Sequence, residues 1–269
     1  MGGPLSAFDL GSLDRLSQGT SSIHRLDPRA KLLATMAFVV AVVSIDKYSV
    51  ADLLPFFLFP AVMLARSGVP FRFIARKVVV VAPFAILVGM FNPLFDQTVV
   101  LRIGDFGVTG GWVSFASILL RFALTIGALL LLVATTGVPA LGRAAERLGA
   151  PRVFVMQVLG LYRYLFLLVG ESQRTLRAYR LRSADGGLPP WRIFAQILGQ
   201  LLLRAVARAR RVHEAMLCRG FDGELRLLGT LRFTGRDWIF LAGWTSAFAA
   251  LRFLRPAEML GALVTGGPA

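Results

Sequence analysis

Apolar residues gather along this chain into five long runs, with one arginine-studded stretch set between the fourth and the fifth. The first run, Leu32 to Ile45, follows Asp27-Pro28, an N-cap and first-turn pair that predicts a helix start. The second, Tyr48 to Ala65, contains Asp52, Pro55 and Pro60, and the third, Val78 to Phe95, carries Asn92-Pro93 near its far end. The fourth, Trp112 to Thr136, is long enough to cross about 30 Å of hydrocarbon at roughly 1.5 Å per residue. The last covers Trp238 to Leu254. The pattern predicts an all-α polytopic membrane protein with about five transmembrane helices and an insert of long amphipathic helices.

The insert reads differently. Between Arg143 and Arg236 there are 17 arginines and 6 acidic residues. Its run Val153 to Val169 is apolar but has Arg163 at its middle, and burying that charge in a membrane would cost roughly 2.5–3.5 kcal/mol. It is therefore read as the buried half of an amphipathic helix over about 152–184. Arg174, Arg177 and Arg180 line one side of its later half, and Gly186-Gly187 and Pro189-Pro190 end it. A second helix is predicted from Trp191 to Arg219, with Leu202, Ala205, Val206, Ala209, Val212 and Met216 on one face and Arg204, Arg208 and Arg211 on another. Gly220 fits the position that closes it, with Asp222-Gly223 as the following turn. The implied organisation is a polar cytoplasmic tail (1–26), helices one to four (27–136), the arginine-rich insert (137–236), and the last spanning helix with its tail (237–269).

Composition sharpens the class. Of 269 residues 56% are hydrophobic and only 17% charged, and mean hydropathy is +0.67, against about 25% charged in soluble domains. The net charge of +15 comes from 27 arginines against three lysines, Lys31, Lys47 and Lys77. Arginine fits forked pairing with carboxylates, phosphates or headgroups. Basic flanks at Arg25, Arg29 and Lys31, at Arg66, Arg72, Arg76 and Lys77, and throughout the insert place the N-terminus and the insert in the cytoplasm by the positive-inside rule. The polar first 30 residues do not resemble a cleavable signal peptide.

Both insert helices finish on an arginine beside a small residue and a glycine-rich turn, with Arg182 and Arg219 separated by 37 residues. A basic residue there complements the helix dipole by about 0.3–1 kcal/mol. A rigid tip presenting a guanidinium can also pair bidentately with a carboxylate in a partner's groove. The segments LDPRAKLL (26–33), LLRFALTIGALLLLVATT (119–136), YRYLFLLVGESQRTLRAYRLRS (162–183) and HEAMLCRGFDG (213–223) together resemble the transmembrane coupling component of energy-coupling factor (ECF) transporters, nearest to the cobalt-type CbiQ family.

That resemblance implies a non-catalytic subunit of the inner membrane, multi-pass, most simply for cobalt uptake. It implies two ABC-type ATPases that bind ATP and Mg, a CbiM-like substrate-binding membrane subunit and a small CbiN-like accessory subunit. The family's two short motifs, usually Ala-Arg-Gly or Ala-Arg-Ser, match Leu181-Arg182-Ser183 and Cys218-Arg219-Gly220. Leucine and cysteine stand where alanine is usual, and both arginines are kept as ATPase contacts. The same role for nickel or a vitamin, or an integral-membrane enzyme on lipid phosphates, are the alternatives.

Other chemistry is thinly represented. No GxxxxGK[ST], nucleophile elbow, CxxC or HxxxH occurs, so no cofactor, metal or catalytic site is assigned to the chain itself. Its only cysteine, Cys218, permits no internal disulfide, and the scarcity of lysine argues against nucleic acid as a partner. Arg121, nine residues into the fourth run, is the charge to watch inside a spanning segment: a contact to the substrate subunit, an intramembrane polar seam, or a snorkelling side chain.

Overall fold

The computed structural model describes residues 14, 16–95, 99–103, 106–183, 187, 189–222 and 233–254. The polar tail before Asp14, the tail after Leu254, and the turns expected at Gly186 and Gly223 lie outside them. In order, the described elements are α1 (Pro28–Val43), a 3-10 stretch (Ala51–Phe57), α2 (Leu58–Ser67), α3 (Phe71–Gly89), α4 (Asn92–Phe95), β1 (Val99–Ile103), β2 (Phe106–Thr109), α5 (Gly110–Thr136), α6 (Val138–Arg147), α7 (Arg152–Arg182), α8 (Trp191–Leu217) and α9 (Gly235–Leu254). The molecule is all-α apart from the β1–β2 hairpin, which pairs Leu101 with Val108 and Ile103 with Phe106 inside the loop expected after the third run.

Local chemistry explains the helix boundaries. Asp27 caps α1 by accepting the Arg29 amide at 2.8 Å, and Pro28 stands in the first turn. In the second run Pro55 lies within a 3-10 stretch and Pro60 in the first turn of α2, so no continuous α-helix crosses that run. The third run breaks after Gly89, whose missing side chain lets Phe115 of α5 approach; a Cβ there would stand 2.8 Å from that ring. Helix α5 stops at Gly137, with φ +76°, where a Cβ would meet the Ser17 hydroxyl at 2.8 Å.

Among the described residues two helices, α5 and α7, are long and apolar enough to cross a membrane by length and composition. The other expected spans match shorter or more charged elements. Helix α1 has 16 residues, α3 opens with Arg72, Arg76 and Lys77, and α9 carries Arg236, Asp237 and Arg252.

The chain forms two compact units, Met1–Ala144 with Leu231–Ala269, and Ala145–Thr230. The boundary falls within α6. The first unit is built on an aromatic cluster. Phe38 of α1 lies 4.8 Å from Phe59 of α2, which meets Phe248 edge-on at 5.3 Å and Trp244 at 4.9 Å, both from α9. Phe38, Phe56 and Phe59 are all buried. Edge-to-face pairs of this kind add about 0.5–1.5 kcal/mol each beyond area burial.

The second unit is the α7–α8 pair, and here one expectation is corrected. The apolar half of α7 is not buried within the chain: only Val155 is, while Val153, Phe154 and Leu161 are more than 60% exposed. On α8 the expected apolar face divides. Ala205, Val212 and Met216 are half-buried, but Leu202, Val206 and Ala209 face outward and no residue of α8 is fully buried. Two helices alone offer too little surface to cover both stripes, so the exposed apolar area suits lipid or another subunit.

Candidate partner-docking site

The two helix tips are built differently. Helix α8 closes in a Schellman arrangement. The Phe221 amide donates to the Met216 carbonyl at 3.0 Å and the Gly220 amide to Leu217 at 3.0 Å, with Gly220 left-handed at φ +77°. Nothing stands within 4 Å of where a Gly220 Cβ would be, so the glycine serves the backbone turn alone. Arg219 lies two residues beyond the last helical residue, Leu217, and both it and Cys218 are exposed.

Helix α7 instead runs through Arg182 itself. Ser183 follows in extended conformation (φ −86°, ψ 131°), its amide donating to Tyr179 at 2.9 Å. Leu181, 82% exposed, and Arg182 project from this final turn, and Arg180 shares it. The glycine-rich turn expected after Arg182 lies mostly outside the described residues, and the two tips differ at the residue that follows each arginine, extended Ser183 against left-handed Gly220. Sequence put glycine after both tips, but only the second uses a left-handed glycine as its stop among the described residues.

Among the described residues neither Arg182 nor Arg219 pairs with a carboxylate, whereas two other arginines of this unit do. Arg204 of α8 meets Glu171 of α7 at 3.1 Å, and Arg152 meets Glu146 at 3.4 Å. The Glu171–Arg204 pair is one point of contact between α7 and α8, and along each helix the tip lies C-terminal to its pairing residue. Arg182 is 11 residues further along α7 and Arg219 is 15 further along the chain, giving arms of about 16 and 22 Å at 1.5 Å per residue. Each tip is therefore a free cation at the end of a rigid arm, on carbonyls that already favour positive charge. Chemically it can accept a carboxylate.

In the first unit, polar groups tie the helix ends together. Arg121 of α5 donates to the Ile45 and Asp46 carbonyls at 2.7 and 2.6 Å, to Val43 at 3.2 Å and to its neighbour Ser117 at 3.2 Å. Arg252 of α9 adds bonds to Ser44 at 3.1 and 3.2 Å. Together the two guanidinium groups satisfy carbonyls that the end of α1 leaves without helical partners. Arg121 thus ties α5 to the end of α1.

At the opposite end of α1, Lys31, buried to 1% exposure, donates to the Thr135 carbonyl of α5 at 3.0 Å. The Asp27 amide donates to Asp237 of α9 at 2.8 Å, and Asp237 also accepts from the Thr234 amide and hydroxyl at 2.8 and 2.6 Å. This buried knot of Asp27, Lys31, Thr135 and Asp237 did not emerge from the sequence reading. Its one local trace was Thr234-Gly-Arg-Asp237, a capping-box spacing.

Among the described residues there is no group of three or more His, Cys, Asp or Glu side chains that could hold a metal. His24 is engaged at both ring nitrogens, by Ser21 at 2.7 Å and the Leu16 carbonyl at 2.9 Å.

Two units of packed helices, one of them ending in exposed arginine tips, make up the chain, and comparison with known proteins places it. The chain belongs to the CbiQ family, described as cobalt transport proteins, whose model matches residues 19–228. It is 29% identical to the energy-coupling factor transporter transmembrane protein EcfT of Bacillus subtilis, over 88% of this chain and 95% of that one. The EcfT proteins of Listeria innocua (27%, covering 85% and 90%) and Lacticaseibacillus paracasei (28%, covering 90% and 98%) are similar over comparable lengths. These relatives are transmembrane subunits of transporters, not enzymes, which sets aside the lipid-phosphate enzyme alternative.

Proposed function

We propose that this chain is the coupling subunit of an ATP-driven importer of the ECF type, passing movement of two ABC-type ATPases through Arg182 and Arg219 to a substrate-binding membrane subunit. The observation that carries the reading is the pair of exposed, uncompensated guanidinium groups, each ending a helix of about 40–46 Å. Leu181-Arg182-Ser183 and Cys218-Arg219-Gly220 enter grooves on the ATPases, where a carboxylate receives each arginine by a bidentate, charge-assisted pair. ATP and Mg are held by those partners. Movement at a tip carries to the rest of its helix because a continuous hydrogen-bonded helix moves as a rigid body.

The exposed apolar faces of α7 and α8 are then the surfaces that meet the substrate-binding subunit and lipid. The N-terminus and the insert face the cytoplasm of an inner membrane, consistent with the arginine distribution. Cobalt is the proposed cargo, in keeping with the family's description, with a CbiM-like subunit capturing it and a CbiN-like accessory subunit beside it. Co-expression of the chain with its neighbouring ATPases and candidate substrate subunits tests this. The expected result is a co-purifying complex that takes up cobalt on ATP. A complex assembled with a vitamin- or nickel-binding subunit would redirect the cargo, and failure to recruit any ATPase would refute the role.

A further inference from the structure

The first unit contains a second feature that the coupling role does not use. A cleft of about 930 Å³ opens where α1 and α9 begin and α2 ends. That volume falls in the ~300–1,000 Å³ range of ligand sites. Three arginines from three segments line it: Arg25 ahead of α1, Arg66 in the last turn of α2, and Arg236 in the first turn of α9. All three are exposed, and none pairs with a carboxylate among the described residues. Among the described residues the one acidic side chain lining the cleft, Asp237, is buried and already accepts three hydrogen bonds from Asp27 and Thr234. Behind the arginines the wall is apolar, formed by Met63, Phe240 and Trp244.

We propose that this cleft binds an anionic phospholipid, its phosphate held by Arg25, Arg66 and Arg236 and its upper acyl chains lying against Met63, Phe240 and Trp244. A phosphate headgroup and a free phosphate share the chemistry that arginine forks recognise. The apolar wall has no function for a free ion and suits an amphiphile. The position suits it too, since basic clefts between membrane helices at the cytoplasmic surface attract anionic headgroups. By filling the cleft the lipid bridges the ends of α1, α2 and α9, of which the Asp27–Asp237 bond already joins α1 and α9. This inference is independent of the tip-docking role and of the cargo.

The test is native mass spectrometry of the purified full-length chain, titrated with phosphatidylglycerol, phosphatidylcholine or inorganic phosphate. Phosphatidylglycerol should bind at least about tenfold more tightly than phosphatidylcholine, with millimolar inorganic phosphate leaving it in place. Combined substitution R25Q/R66Q/R236Q should weaken phosphatidylglycerol binding by about tenfold or more while the lipid-free melting transition stays within about 2 °C of the parent. Val62→Trp, which fills the apolar side, should weaken it comparably without touching an arginine. Arg66→Gln alone should give a partial loss, and supplies the answer if the triple variant does not fold. Equal binding of the two lipids, displacement by inorganic phosphate, unchanged binding in the arginine variants, or full binding by V62W would each overturn the assignment.

Discussion

Lys31→Met is the sharpest perturbation of the first unit, because the side chains have similar volume and only the ammonium is lost. In the structure that ammonium is almost fully buried, donates to the Thr135 carbonyl at 3.0 Å, and is favoured by the nearby charges of Asp27 and Asp237. A hydrogen bond from a charged donor is worth about 1.5–3 kcal/mol, and removing one partner of a buried ionic set costs about 3–5 kcal/mol. Asp27 keeps Arg29, at 3.1 Å through two donors, and Asp237 keeps Thr234, so the low end, about 3 kcal/mol, applies.

For a chain of this size that loss corresponds to a fall in Tm of roughly 6–12 °C. Thermal unfolding in detergent, followed by tryptophan fluorescence, reads it directly. The double variant Lys31→Met with Asp237→Asn should lose less than the sum of the singles by about 1 kcal/mol or more, since the two sites act on each other. A melting point within about 2 °C of the parent, or strict additivity, would refute the buried knot as a stabilising element.

Arg121→Ala removes three carbonyl bonds at the end of α1. It should lower Tm by about 2–6 °C while leaving ATPase co-purification intact, which separates a seam residue from a docking residue. Gly220→Ala forces a Cβ into φ +77° at a cost of about 1–2 kcal/mol, with open space around it. It should loosen the second tip and weaken ATPase binding, with Gly220→Asn recovering part of the loss. Arg204→Gln breaks an ion pair whose arginine is 60% exposed, and should change unfolding stability by less than about 1 kcal/mol.

The sequence made visible what is decided locally. Asp27-Pro28 started α1 and Gly220 closed α8, because a cap and a left-handed glycine act within a turn of where they stand. The ends of α7 and α8 were legible to within two residues for the same reason. What escaped was non-local. Lys31 meets a carbonyl 104 residues away, and Arg121 reaches back more than 70 residues to the end of α1, contacts that no periodicity encodes. The apolar face of α7 was read as buried because hydrophobic spacing reports that a face needs cover, not that this chain supplies it. The Arg-containing tips were legible as candidates, but their differing backbones followed from an extended Ser183 that sequence spacing could not distinguish from a left-handed stop.

Coupling as proposed requires Arg182 and Arg219 to be the contacts to the ATPases. The most direct measurement is ATPase co-purification, together with ATP-dependent uptake, for the double variant Arg182→Glu/Arg219→Glu beside the parent and a control reversed at exposed Arg174. The account predicts loss of both assembly and uptake in the double variant, at unchanged Tm, with the Arg174→Glu control assembling normally. Assembly and transport at parental levels in the double variant would contradict it.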